Sequence, residues 1–154
     1  MSDRQRAAAG LLGLGARARR LAIGVDAARE ALRRGVAESL VLAGDAGERA
    51  RERLLPLAMH RGVTVLRGPS AEEFGRVLGR PPVHGVAVLD RQLARGLRAY
   101  LEAEPESEQR ERLEQRLGSD HPEALAILLR AIQRREQSRE AAPIERRQLD
   151  VDDR

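Results

Sequence analysis

Three short apolar runs, separated by helix-length segments, constrain this chain most. Ser39-Leu40-Val41-Leu42-Ala43, Val63-Thr64-Val65-Leu66 and Val83 to Leu89 are too short for buried helices and are bounded by turn residues. Runs of this kind read as strands covered on both faces. Between them, residues 47–61 place Leu54, Leu55 and Ala58 at helical spacing, with Pro56 kinking or breaking the helix and Gly62 stopping it. Ser70-Ala71-Glu72-Glu73 has the form of a capping box and opens a helix ending near Gly79. Pro81-Pro82 fixes a loop, and Asp90 is placed to cap a last helix running to about Ala103.

Upstream, Leu11, Leu14, Ala18, Leu21 and Val25 recur at steps of three and four, which predicts a helix with Arg17 and Arg20 off its apolar stripe. A hinge is expected at Gly24-Val25-Asp26, where Asp26 would cap a second helix. In that helix Ala28, Ala31 and Leu32 face inward, Arg29 and Arg33 share another face, and Gly35 is a natural stop. The resulting order, α-α-β-α-β-α-β-α, predicts an α/β fold: a three-layer α-β-α sandwich with a small mixed sheet, over residues 8–103.

Residues 104–154 read as a charged helical extension. From 105 to 117 the chain is nearly all Glu, Gln and Arg, with Leu113 and Leu117 the apolar residues and Gly118 an interruption. Asp120-His121-Pro122-Glu123 looks like a second helix start. Leu125, Leu128, Leu129 and Ile132 then form a narrow stripe. It could fold back on the body, pair with 105–117, or form a surface for self-association or a protein partner. The composition from about Arg139 predicts disorder.

Several functions are not expected. The chain has no cysteine, and His60, His84 and His121 lie far apart, so no metal site or thiolate chemistry is expected. Asp45, Glu48 and Asp90 sit at or just after strand ends, where capping and turns explain them, so neither catalysis nor a cofactor is expected. Gly10, Gly13 and Gly15 follow no strand and precede no Lys; they read as sites of close helix packing rather than a phosphate loop. No apolar run approaches ~20 residues, so no membrane span is expected. The first ten residues lack a secretory signal, which suits a cytoplasmic protein.

Charge points to a partner. Residues 1–100 hold 18 arginines and 10 acids, net +8, whereas residues 101–154 are net −4. Every cationic residue is arginine, whose planar fork suits phosphate. A helix N-terminus beside a glycine hinge adds free backbone N–H groups. That combination suits the sugar-phosphate backbone of a nucleic acid better than a small metabolite, with Arg17, Arg20, Arg29 and Arg33 as the expected phosphate contacts. With Phe74 and Tyr100 the only aromatics, a stacking platform for single strands is not expected.

The segment LLGLGARARRLAIG followed by GVDAAREALRRG resembles the opening of the bacterial YlxQ-like branch of the kink-turn-binding ribosomal protein superfamily. Val41-Leu42-Ala43-Gly44-Asp45, Leu55-Pro56-Leu57, Pro69-Ser70 with Glu73-Phe74-Gly75, and Val86-Ala87-Val88-Leu89-Asp90 match in order, over about residues 8–100. The resemblance implies an α-β-α sandwich that binds structured, ribosomal RNA through the hinge Gly24-Val25-Asp26 and a loop from about Arg80 to Gly85. In that loop Val83 would be the apolar contact to a flipped-out base, with His84 beside it. Kink-turn readers of this superfamily carry Gly-x-Asn-Glu and a later Lys; here those positions are Asp26, Ala27 and Glu30. An ionised Asp only accepts hydrogen bonds, and Glu30 would repel phosphate where the family places a cation. The departures weigh against the usual specificity but leave the basic surface. A protein-interaction module of the same fold, with eroded RNA contacts, is the alternative. The front domain of 2′-O-ribose RNA methyltransferases is similar to this region too, but the tail here is too short and glycine-poor for a catalytic domain.

Overall fold

The computed structural model describes residues 2–120, together with Arg130, Gln133, Arg134 and Gln137. The stripe Leu125, Leu128, Leu129 and Ile132, and the stretch from Arg139, lie outside the described residues. The elements run α1 (Asp3–Arg17), β1 (Leu21–Ile23), α2 (Val25–Arg34), β2 (Ser39–Leu42), α3 (Glu48–Arg61), β3 (Thr64–Arg67), α4 (Ala71–Leu78), β4 (Gly85–Val88), α5 (Arg91–Tyr100) and α6 (Glu106–Asp120). The chain divides into two compact units, Met1–Glu111 and Arg112–Arg154, with the division inside α6.

The first unit is an α-β-α sandwich around one open mixed sheet of order β1-β4-β2-β3. β4 pairs antiparallel with both β1 and β2, and β2 pairs parallel with β3. Alternation along the strands divides the core. Val41, Leu66, Val86 and Val88 pack with Ala8 and Leu12 of α1, Phe74 of α4, and Ala94 and Leu97 of α5. Leu40, Leu42, Val65 and Ala87 belong to the opposite face, covered by α2 and α3 with buried Ala28, Leu32, Leu54, Leu55 and Ala58. Strands two to four read as continuous apolar runs because both faces are covered.

Helix ends follow their local chemistry. Ser70 Oγ accepts from the Glu73 N–H at 3.3 Å, and Asp90 Oδ1 accepts from the Leu93 N–H at 3.0 Å. Gly35, Gly62 and Gly79 are left-handed C-caps. Gly15 permits the close α1–α5 approach: a Cβ there would meet Leu93 Cδ2 at 2.5 Å, whereas Gly10 and Gly13 have open space. Pro56 lies inside α3, which runs through it.

Four features differ from the sequence expectation. The first helix ends at Arg17, and Leu21–Ile23 is a strand rather than a continuation of the helical stripe. Leu14, placed on that stripe, is 56% exposed, while its neighbour Leu12 is fully buried. The turn into β1 puts Arg19 at φ 59, so a non-glycine residue carries the left-handed turn. Gly24, not Asp26, is the N-cap of α2, at φ 98. Gly118 does not interrupt the extension, because α6 runs through to Asp120.

The β3 edge is covered by the chain after α5. The Arg67 N–H donates to Glu102 O and the Glu104 N–H to Val65 O, both at 2.8 Å, around an antiparallel Leu66–Ala103 bridge. The Glu104 carboxylate lies 3.1 Å from Arg51 Nη1 and 3.7 Å from Arg67 Nε. Gln109 Nε2 donates to Glu104 O at 2.9 Å, tying the start of α6 to the same point.

Candidate nucleic-acid interface

The topology brings four chain segments to one end of the sheet. β1 and β2 each run antiparallel to β4, and β3 runs with β2. The carboxyl ends of β1, β2 and β3 therefore lie beside the start of β4. Main-chain bonds tie them together there. The Gly24 N–H donates to Gly85 O and the Ala43 N–H to His84 O, both at 2.9 Å. The Gly44 N–H reaches Pro69 O at 2.9 Å, and Asp45 Oδ1 accepts from the Ala71 N–H at 2.7 Å.

The first turns of α2, α3 and α4 begin at this end. Gly24 and Gly47 cap α2 and α3 without any side-chain hydrogen bond, so backbone N–H groups there keep donor capacity. α4 is satisfied internally by Ser70 and Asp45. Helix N-termini carry partial positive charge, and ligands of open α/β sheets bind at the carboxyl ends of the strands. A cavity of about 280 Å³ opens here, lined by Val25, Gly47, Arg49, Ala50, Arg53 and His84. At its mouth Arg53 Nη2 reaches across from α3 to Asp26 Oδ1 at 2.6 Å.

The residues singled out from sequence fall into two groups. Gly24, Val25, Asp26 and His84 converge on the cavity end, and exposed Arg29 follows on α2. Arg17 and Arg20 do not join them. They precede β1, whose length separates them from Gly24; at about 3.3 Å per strand residue, Arg20 lies on the order of 13 Å away along the chain. Arg20 Nη1 is instead 3.9 Å from Asp90 Oδ2, at the opposite end of the sheet. Arg33 is in the last turn of α2, where Glu30 binds it at 3.2 Å and Arg34 at 3.1 Å. Arg61, in the last turn of α3, donates there to Leu32 O and Arg33 O, as cations near helix C-termini do.

Val83 also departs from expectation. It is 5% exposed and belongs to the core beside Ala71 and Phe74, its N–H bonded to Ala71 O at 3.0 Å, so its side chain is not presented at the surface. His84, the next residue, is exposed and lines the cavity. Arg49 and Arg53 escaped sequence reasoning. Their i,i+4 spacing on one helix face was legible, but its direction toward α2 was not.

Asp45 and Asp90 cap α4 and α5, and Glu48 is in the first turn of α3. Among the described residues no group of three His, Asp or Glu side chains could hold a metal ion, and no helix is long and apolar enough to cross a membrane.

A mixed-sheet α-β-α sandwich with its candidate site at the carboxyl edge of three strands is the class of protein these features define. Residues 6–97 match the model of the Ribosomal protein L7Ae/L30e/S12e/Gadd45 family, and the chain belongs to that family. Among solved structures it is similar to a protein of unknown function from Bacillus halodurans C. The two are 29% identical with a TM-score of 0.57, over 60% of this chain and 94% of that one. It shares its fold with the Giardia lamblia 15.5kD RNA binding protein, at 18% identity and a TM-score of 0.54, over 65% of this chain and 86% of that one. No curated protein matches it.

Proposed function

We propose that this chain is a small, non-enzymatic, cytoplasmic RNA-binding protein, ribosomal or ribosome-associated, of the YlxQ-like branch. It recognises structured, kink-turn-like RNA by shape and backbone at the carboxyl end of the sheet. One observation carries this reading: in a chain of the L7Ae/L30e/S12e/Gadd45 family, two glycine-capped helix N-termini, Arg49, Arg53 and His84 surround one cavity. Backbone N–H groups and arginine forks at such a place suit phosphate oxygens. Gly24, Val25, Asp26, Arg29 and His84 form the proposed contact surface.

The test is binding of a labelled kink-turn RNA and a straight RNA duplex between about 50 and 200 mM salt, where phosphate contacts give a steep decline. The proposal expects tighter binding of the kinked RNA. Equal binding of both would remove shape recognition and keep backbone binding. No binding of either at low salt would overturn the RNA reading.

A second reading is a protein-interaction module with eroded RNA contacts. It is favoured by Glu30, which engages Arg33 and Arg34 internally rather than leaving them for phosphate. Under this reading the 125–132 stripe supplies the partner surface. Leu128→Arg would then lower the mass seen by sedimentation, and unchanged mass would count against self-association.

A further inference from the structure

We infer that Arg49 and Arg53 of α3 supply phosphate-contacting cations to this face beside Arg29 of α2, and that the Asp26 carboxylate competes with RNA for Arg53. The inference rests on the RNA-binding reading above and assigns part of its electrostatics to a different helix from the one the sequence suggests. Of the arginines on α2, Arg33 and Arg34 are held by Glu30 in the last turn, a helix length from the cavity. The two arginines that line the cavity both come from α3.

Their arrangement is unfavourable without an anion. Arg49 and Arg53 are four residues apart on one helix face, where like charges repel. Exposed Arg49 has no carboxylate partner among the described residues, so one carboxylate, Asp26, serves the pair. The contact engages Nη2 of Arg53 and leaves the donors of Nη1 and Nε for another acceptor. The Asp26 side chain is 87% exposed and that of Arg53 39% exposed, so solvent screens the pair and a phosphate oxygen can displace the carboxylate without unpacking the core. Asp26 then acts as an internal anion that occupies the site until RNA arrives. It lowers affinity for any polyanion, and selects for RNA able to meet both Arg53 and the α2 N-terminus.

The experiment measures binding of the kink-turn RNA and the straight duplex to the full chain and to R49Q, R53Q, R49Q/R53Q and D26N across the same salt range, with thermal melts to check folding. The double variant is expected to bind at least ten-fold more weakly at low salt, with the slope of log K against log salt reduced by roughly one to two units. D26N is expected to bind both RNAs several-fold more tightly with a steeper slope, because Arg53 is released. R49Q/R53Q binding with the parent's affinity and slope would overturn the inference while leaving the RNA reading intact. D26N binding no more tightly than the parent, with an unchanged slope, would overturn the competition. A parent chain that binds neither RNA would overturn both.

Discussion

Arg51 Nη1 and Glu104 Oε1 meet at 3.1 Å between α3 and the strap over β3, with their side chains 11% and 3% exposed. A second contact at 3.4 Å to the other carboxylate oxygen makes the arginine nitrogen span both oxygens. Removing one partner of a buried pair strands the other charge, which costs about 3–5 kcal/mol. Glu104→Ala is therefore expected to lower unfolding stability by about that much in urea titrations. The double change Arg51→Leu, Glu104→Leu is expected to lose less than Glu104→Ala, because no buried charge is left behind. Equal losses would show that the stranded Arg51 charge is not what the single change costs.

Two helical glycines should respond in opposite ways. A Cβ on Gly75 would meet Pro81 O at 2.4 Å and Arg80 O at 2.7 Å, backbone atoms held by the Arg80 N–H bond to Gly75 O. Gly75→Ala is expected to cost about 1–3 kcal/mol and to shift the loop that carries His84. Gly10 is exposed in α1 with nothing near its Cβ position, so Gly10→Ala is expected to raise stability by roughly 0.5–1 kcal/mol. Chemical denaturation of both variants checks the contrast.

Val83 and His84 are neighbours facing different environments. Val83→Ala is expected to reduce stability by roughly 1–3 kcal/mol while leaving the RNA salt slope unchanged, since its side chain lies in the core. His84→Ala is expected to leave the melting temperature within a degree or two and weaken RNA binding, since surface substitutions rarely move stability by more than about 0.5 kcal/mol. Loss of binding in Val83→Ala with the fold intact would reverse this assignment.

Arg29 and Arg17 test which end of the sheet meets RNA. Arg29→Glu, on α2 near the cavity end, is expected to weaken binding several-fold at low salt. Arg17→Glu, in the last turn of α1 ahead of β1, is expected to have a smaller effect, limited to long-range electrostatics and diminishing as salt shortens the Debye length to about 8 Å at physiological ionic strength. Equal effects would place phosphate at both ends.

The sandwich was legible because its inner strands are buried on both faces and its helices are punctuated by Gly35, Gly62, Gly79, Ser70 and Asp90. β1 was not. It has three residues, all partly exposed, and Leu21 continues the three-four spacing of α1 while Arg19 makes the left-handed turn without a glycine to signal it. Without a signal for that strand, sequence spacing groups Arg17 and Arg20 with Gly24. Burial of Val83 was likewise hidden, since a loop residue after Pro81-Pro82 gives no periodicity. The Glu104 anchor lies in a segment whose composition reads as solvated charge, and only the unpaired edge of β3 gives that carboxylate a place to be buried. At the cavity, the hinge was readable as a local motif, but the reach of Arg53 to Asp26 depends on how α2 and α3 pack.

The strap over β3 also bears on solubility. Open sheets end in rows of unpaired N–H and C=O groups that can recruit a second chain. Here residues 102–104 occupy one such row, and the other border is β1, three residues long and preceded by Arg19 and Arg20. A template that short, fenced by cations, offers little for a neighbouring strand to extend. Loosening the Glu104 anchor would thus open the four-residue border of β3, with apolar Val65-Leu66 at its centre, and the first sign of its failure in a concentrated solution would be strand-mediated aggregation.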